Sequence, residues 1–392
     1  MPRNDKRIPQ VVKSLEIVAG RWQVMKELGR GGFGAVYEVL DLKTRRLEAM
    51  KIEIKSQQFK TLKIEVYALR DLNEIKARHA CKIYGQGTKN DYHYIVMTAV
   101  GPSINGLLSS MRPKFTNGRP HFTLRTSLFV GIQTLEALEE LHKIGYESWN
   151  VSTILGYFFP LCDLNAQTLY LASFYSYIHR DVKPHNFAIG RAPNYRDIYL
   201  LDFGMCRKYV KKGKPRRPRQ RVGFRGTLYY ASVDALRGRE QSRKDDVWSW
   251  AFMLVRVATG RVLWYKINLP KSLRTMVRAR AYAECKVQVL GRLNEFLEGC
   301  PAEFKEIYEH LSVLTYYDKP NYDMCYKALK EVMKRMKYQE REPLDWEVTG
   351  EHHQETVLAP VHDMMPQKPK DEVTGSTPPE PNAETPEKKP AK

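Results

Sequence analysis

The spacing of apolar side chains changes character along the chain. Between Leu15 and Val100 short apolar runs predict strands with one helix among them. VMKELGRGGFGAVYEVLDL reads as a hairpin with a glycine-rich turn, LEAMKIEI as the next strand, LKIEVYALRDL as the helix, and YHYIVMTAV as a further β-rich run. From Gly101 onward helical spacing dominates: over Phe122–His142 the residues Leu128, Ile132, Leu135, Leu138 and Leu141 share one face. Asp246–Thr259 is apolar nearly all round and stops at Gly260, the pattern of a buried core helix with glycine at its end. After about Tyr338 the chain turns rich in Pro, Glu, Lys and Thr, and such a segment buries too little surface to offset its chain entropy. The expected organisation is a basic, mobile extension over 1–14, a β-rich lobe over 15–100, a helical lobe over 101–340 and a disordered tail over 341–392, with no internal repeat.

Composition narrows the setting. With 392 residues, 43% of them hydrophobic, the chain can bury a sizeable core. No apolar run is long enough to cross a bilayer, and the charged start MPRNDKRIPQ lacks the apolar stretch of a secretory signal. The expected location is therefore the cytoplasm, with the nucleus as a second compartment. The cysteines Cys81, Cys162, Cys206, Cys285, Cys300 and Cys325 are widely spaced without a CxxC pair, so free thiols are expected. The net charge of +20 attracts polyanions, although scattered charge mostly serves solubility. Only one concentrated basic run, described below, changes that picture.

Four motifs carry chemistry. Gly29-Arg-Gly31-Gly-Phe-Gly34-Ala-Val36 has the spacing G-x-G-x-x-G-x-V. Glycines there let backbone N–H groups approach phosphates, and the strand-like YEVL that follows argues against a dinucleotide fold, which needs a helix at that point. Lys51, on the next strand, can pair with the α- and β-phosphates. Most lysines are surface residues, but the spacing to the glycine turn favours the phosphate role. Glu65 on the following helix can hold the lysine head. His179-Arg180-Asp181-Val182-Lys183-Pro184-His185-Asn186 is far more specific. In it Asp181 would accept the proton of an attacking hydroxyl, Lys183 would neutralise the transferring group, and Asn186 would bind Mg²⁺. His179 fits a packed structural role better than that of a base. Asp202 of Asp202-Phe203-Gly204 would hold the Mg²⁺ that bridges the phosphates of ATP, with Phe203 packed inward.

In these motifs the chain resembles the eukaryotic protein kinases, and within them the casein kinase 1 family in its tau-tubulin-kinase-like branch. GRGGFGAVYEV, LKIEVYALRDL, HRDVKPHNFAIGR, YLLDFGMCRKY, GFRGTLYYASVDA, SRKDDVWSWAFMLV and the later LTYYDKPNY and LDW carry the resemblance, from about Trp22 to Trp346. It implies an α+β, two-lobed kinase fold: a β-rich N-lobe, a helical C-lobe and ATP in the cleft between them. The nucleotide would meet Leu28, Gly29, Gly31, Gly34, Val36, Ala49 and Lys51, with Met97 in the gatekeeper position and Val100 in the hinge. Asp246 would support the catalytic-loop backbone. Where other kinases have Ala-Pro-Glu, this chain has Ala231-Ser232-Val233-Asp234. The family commonly ends that motif in asparagine, so Asp234 is a departure that bears on substrate positioning.

Between Met205 and Arg225 stand ten lysines and arginines uninterrupted by an acidic residue. In a kinase this segment lies beside the substrate. Its field should attract acidic or already phosphorylated protein, with Arg216, Arg217 and Arg219 as the candidate anion site and Arg219 the best match to a phosphate-holding arginine. The competing reading is a solvated loop of nuclear-localisation or nucleic-acid character. Residues 147–177 are a second peculiarity: the family runs almost directly from LHKIGY to IHRD, whereas here about thirty aromatic-rich residues intervene. A retained intron, a partner-docking loop and a segment folded back on the C-lobe compete, and the Phe-Tyr-Ser close, codable as a splice acceptor, favours the first. The functional expectation is a monomeric serine/threonine kinase using ATP and Mg²⁺. The alternatives are a catalytically impaired kinase-fold scaffold and, last, a nucleic-acid binder, since no RNP1-type signature is present.

Overall fold

The computed structural model describes residues 12–30, 34–55, 61–89, 91–112, 119–144, 176–211, 214–267, 269–270, 272–357 and 359. Six antiparallel strands, β1 (Ile17–Val18), β2 (Trp22–Arg30), β3 (Gly34–Asp41), β4 (Leu47–Ile54), β5 (Ile83–Lys89) and β6 (Tyr92–Thr98), form one sheet in the order β1-β2-β3-β4-β6-β5. The two-residue period divides its faces. Ala35, Tyr37 and Val39 join Trp22, Val24, Met50, Ile52, Tyr94 and Val96 in a core on one side. Val36, Ala49, Ile95 and Met97 face the other way, towards helix α1 (Thr61–Glu74) and the rest of the molecule. Gly34 opens β3 where no side chain fits, because a Cβ there would lie 1.7 Å from the Ile52 carbonyl oxygen.

The helical part begins with α2 (Ile104–Ser110) and α3 (Leu124–Lys143). Short strand pairs follow: β7 (Tyr177–Ile178) with β10 (Arg207–Lys208), β8 (Phe187–Ile189) with β9 (Ile198–Leu200), and β11 (Val210–Lys211) with β12 (Lys214–Pro215). The remaining helices are α4 (Val233–Leu236), α5 (Arg243–Thr259), α6 (Thr275–Leu290), α7 (Leu293–Phe296), α8 (Phe304–Val313), α9 (Tyr322–Arg335) and α10 (His353–Thr356). α5 is buried nearly all round, as its sequence predicts, and ends at a left-handed Gly260 with φ 69°. A Cβ at that glycine would come within 2.4 Å of the Arg119 carbonyl oxygen. The kinase fold expected from the motifs is the fold observed.

Three expected boundaries move. Val12 is fully buried in the outer core of the sheet, so the folded chain starts inside the extension assigned to 1–14. Tyr177 and Ser176 belong to the catalytic lobe rather than to the insertion of 147–177. Tyr177 is in β7 and donates to Asp71 Oδ2 at 2.7 Å, while Ser176 Oγ donates to the His142 carbonyl at 2.6 Å. The segment 145–175 lies outside the described residues, as does Cys162. The described residues that flank it, α3 and Ser176, are joined by that hydrogen bond, and the catalytic loop beyond hangs from Asp246.

The third boundary is at the far end: residues 341–357, assigned to the tail, pack on the C-lobe. Asp345 is fully buried, accepting from Thr123 N (2.8 Å), Thr123 Oγ1 (2.6 Å) and Thr126 Oγ1 (2.9 Å). The Trp346 ring meets Phe122 and Phe129 edge-on, and its Nε1 donates to the Tyr195 carbonyl at 3.0 Å. One buried carboxylate and one indole outweigh the polar average of their surroundings. The remainder of the predicted tail, from 360, lies outside the described residues. Among the described residues no helix is long and apolar enough to cross a membrane, and the five cysteines are free.

Candidate active site

Lys51 projects from β4 opposite Val36 and Ile95 and is almost fully buried. Its Nζ lies 2.6 Å from Glu65 Oε2 on α1 and 3.4 Å from Asp202 Oδ1. Burial disfavours the ammonium, but these two carboxylates outweigh it and hold the Lys51 pKa above the usual lysine range. Glu65 and Asp202 come from opposite sides of the cleft, so one cation ties helix α1 to the metal-candidate aspartate. Asp202 sits at φ 60°, a left-handed conformation uncommon outside glycine, and Arg180 at φ 70°. Phe203 is buried and packs edge-on against His179 at 5.7 Å.

The catalytic loop hangs from one buried carboxylate. Asp246 Oδ2 accepts from His179 N at 2.6 Å and Oδ1 from Arg180 N at 2.8 Å, while His142 Nε2 lies 2.9 Å from Oδ2. The fully buried His179 ring lies 3.0 Å from the Leu201 carbonyl and accepts weakly from Asp181 N at 3.3 Å. Asp181 then faces Lys183 Nζ at 2.7 Å and Thr227 Oγ1 at 2.7 Å, and Lys183 reaches the same Thr227 hydroxyl at 3.2 Å. Burial pushes the Asp181 pKa up, yet Lys183 and Thr227 outweigh it and leave the carboxyl below its ordinary value. Asn186 Nδ2 donates to the Asp181 carbonyl at 2.8 Å, which leaves its Oδ1 as a ligand atom.

Asn186 and Asp202 supply hard oxygen donors, and among the described residues no cluster of three or more His, Cys, Asp or Glu side chains is built to hold a metal. Two such oxygens fit Mg²⁺, which takes few protein ligands and completes its shell with water and substrate phosphates. Val36, Ala49, Met97 and Val100 belong to one buried apolar cluster with Ala188, and Leu28 packs against it. Val100 accepts Arg191 Nε through its carbonyl at 2.9 Å. Gly29 pairs with Val36 across β2 and β3, while Gly31 lies outside the described residues. The sequence reading thus brings Lys51, Glu65, Asp181, Lys183, Asn186 and Asp202 together. It missed Thr227, whose signal is the Gly226-Thr227 pair: Gly226 has φ 114°, and a Cβ on it would lie 2.5 Å from the Arg180 carbonyl.

The basic segment forms a cleft of about 330 Å³ beside this site, lined by Ile64, Tyr67, Tyr177, Cys206 and six cations: Arg180, Arg207, Lys208, Arg216, Arg219 and Arg225. Of the three arginines assigned to anion binding, Arg216 and Arg219 line the cleft. Arg217 is exposed and does not, because the chain leaving β12 turns successive side chains to different sides. Arg219 also pairs with Glu240 at 2.5 Å, and Arg207 approaches the same carboxylate at 3.6 Å. Burial, then the neighbouring Arg225 and Arg207, push Arg180 down to about 10 despite opposing contributions from Cys206 and Glu240. Asp234 forms ion pairs with Lys244 at 2.6 Å and Arg239 at 2.8 Å. Beside it the buried Lys286 donates to the Tyr229 and Ala231 carbonyls at 2.9 and 2.6 Å, fixing the backbone where Ala-Pro-Glu stands in other kinases.

A six-stranded sheet with one helix, a helical lobe, and a lysine, two aspartates and an asparagine converging between them define a phosphoryl-transfer fold of the protein kinase type. The comparisons agree. The protein kinase domain family matches residues 169–336. A Dictyostelium discoideum protein named "Probable serine/threonine-protein kinase" is 30% identical over 334 residues, which is 85% of this chain and 57% of the relative. The serine/threonine-protein kinase spe-6 of Caenorhabditis elegans is 30% identical over 362 residues, 91% of this chain and 84% of the relative. The chain belongs to the serine/threonine protein kinase family. It spans little more than half the length of the Dictyostelium relative.

Proposed function

We propose that the chain is an active serine/threonine kinase that transfers the γ-phosphoryl group of ATP to acidic or phosphate-primed protein substrates, in the manner of the casein kinase 1 family it resembles. The observation that carries the catalytic part is the Asp181–Lys183–Thr227 triangle set beside the Lys51–Glu65 pair. Asp181 orients the substrate hydroxyl and takes its proton as the oxygen bonds to the γ-phosphorus and ADP leaves. A carboxyl held below its ordinary pKa is ionised at neutral pH and suits a proton transfer that comes late. Lys183 offsets charge on the transferring group, and Lys51 grips the phosphates. Mg²⁺, held by Asn186 and Asp202, would neutralise charge between the phosphates.

The acidic preference is supported by the six cations of the cleft, which no acidic side chain among the described residues lines, although Glu240 pairs with Arg219 and approaches Arg207. A dianionic phosphate there would meet forked, closely packed guanidinium groups and relieve their mutual repulsion. The test is phosphate transfer from labelled ATP to a primed, an acidic and a neutral peptide of equal length, with Asp202→Asn as control. Equal incorporation by wild type and control defeats catalysis and leaves the scaffold reading. Equal kcat/KM for the three peptides defeats the substrate preference alone.

A further inference from the structure

Arg191 occupies a place that the catalytic machinery does not explain. It follows β8 in the C-lobe, on a stretch fixed against the chain that leaves the sheet: Gly101 N donates to the Ile189 carbonyl at 2.8 Å and Ile189 N to the Pro102 carbonyl at 3.0 Å. Gly190 is wedged so closely that a Cβ would lie 2.2 Å from the Asn194 carbonyl oxygen, so the platform under Arg191 has little room to move. From there the guanidinium reaches two separate segments. Nε donates to the Val100 carbonyl at 2.9 Å, and Nη1 to Glu38 Oε1 at 2.8 Å. Glu38 lies on β3 two residues beyond Val36, hence on the same face of the strand, and is 8% exposed. One side chain therefore joins the helical lobe, the connector and the β-sheet at the edge of the nucleotide cleft.

We propose that Arg191 is a positioning residue for nucleotide binding: through Glu38 and the Val100 carbonyl it clasps the two lobes at the separation that ATP requires. Opening the lobes would draw Glu38 away from the guanidinium and leave a nearly buried carboxylate with the exposed Lys26, at 3.6 Å, as its one remaining ion-pair partner among the described residues. The clasp therefore biases the population towards the closed cleft, and a nucleotide that binds the closed form gains affinity without touching Arg191. The fork of a guanidinium suits this task better than an ammonium, because two donors fixed in one plane serve two partners at once. Arg191 Nη2, buried and without a hydrogen-bond partner among the described residues, is a third donor at the same rim.

The inference rests on the kinase reading and is tested with the full chain. ATP and ADP affinities are measured by calorimetry, with steady-state kcat and KM for ATP, for wild type, Arg191→Met, Glu38→Gln, the double variant and the exchange Arg191→Glu/Glu38→Arg. Each single change should weaken ATP binding about tenfold with kcat held within about twofold, and the double should match the singles instead of multiplying them. The exchanged pair should recover part of the loss. Single variants with wild-type affinity, or a double whose loss is the product of the two singles, overturn the clasp. Should Arg191→Met fail to fold, the near-isosteric Glu38→Gln decides alone. A wild-type protein that binds no ATP is a different result and overturns the kinase reading instead.

Discussion

Replacing Thr227 by valine removes one hydroxyl from the centre of the site and keeps the side chain's shape. That hydroxyl donates to Asp181 Oδ1 at 2.7 Å and accepts from Lys183 Nζ at 3.2 Å, so it touches both groups that the transfer step uses. A hydrogen bond to a charged group contributes about 1.5–3 kcal/mol. The Lys183 contact is long and survives in part through Asp181 Oδ2, so the lower half of that range applies. At 1.36 kcal/mol per decade, kcat/KM should fall about 13- to 45-fold. The loss should sit in kcat, because the partners of the Thr227 hydroxyl are Asp181 and Lys183, the two groups of the transfer step.

A second signature separates this role from simple packing. Thr227 is one of the contacts that keep the Asp181 carboxyl below its ordinary pKa, after Lys183. Without it the carboxyl titrates at higher pH, so the acid limb of the kcat/KM profile should move upward. Initial rates on an acidic peptide at saturating ATP, from about pH 5 to 8, measure both effects. A valine variant within twofold of wild type and with an unmoved acid limb would show that the hydroxyl does not orient Asp181.

Other substitutions give distinct readouts. Trp346→Ala should cost about 3–5 kcal/mol, seen as a lower denaturant midpoint with the ATP affinity unchanged, because the buried indole packs edge-on against Phe122 and Phe129 and its Nε1 is bonded to the Tyr195 carbonyl, none of them a residue expected to meet the nucleotide. Arg216→Ala with Arg219→Ala should raise KM for primed peptides several-fold, while Arg217→Ala should leave it unaltered; a larger effect from Arg217 would contradict the lining of the cleft. Asp246 titrates below the ordinary aspartate range: burial opposes this, but His142 and the Arg180 N–H outweigh it. A depressed folded pKa adds stability that is present above about pH 4 and lost as pH falls through the folded value. The stability gap between wild type and Asp246→Asn should therefore be widest at neutral pH and close under acid, as urea titrations at several pH values would show.

Short-range spacing made the centre of the site legible. Asp181, Lys183 and Asn186 fall within six residues, and Asp202 follows after one strand pair, so their convergence needs only a loop and two short strands. Lys51 and Glu65 were readable for the same reason, being one strand and one helix apart. Thr227 and Glu240 were not. Thr227 reaches Asp181 across 46 positions, and Glu240 reaches Arg219 across 21, through a segment whose path the local pattern does not specify. That Arg216 and Arg219 line the cleft and Arg217 does not was hidden for a related reason: charge counts along a segment say nothing of which side each guanidinium takes. Asp345 and Trp346 were hidden by averaging, since two decisive side chains stand in a window of Glu, Pro and Lys.

The same distinction orders the energetics. The residues legible from motifs are chemically exacting but locally strained, with Arg180 and Asp202 both at positive φ. Those conformations persist because buried partners distant in sequence impose them: Asp246 takes the Arg180 N–H at 2.8 Å, and the Arg180 Nε donates to the Met205 carbonyl at 2.7 Å. Arg180 is at once a strained hinge of the catalytic loop and a wall of the cationic cleft. An anion seated there would stabilise the backbone that aims Asp181, the next residue along. On the proposed preference for anionic substrates, substrate charge and catalytic geometry would be linked through one side chain, so loss of Arg180 should lower kcat for every peptide and also erase the difference between primed and neutral ones. Loss of Arg216 should do only the second.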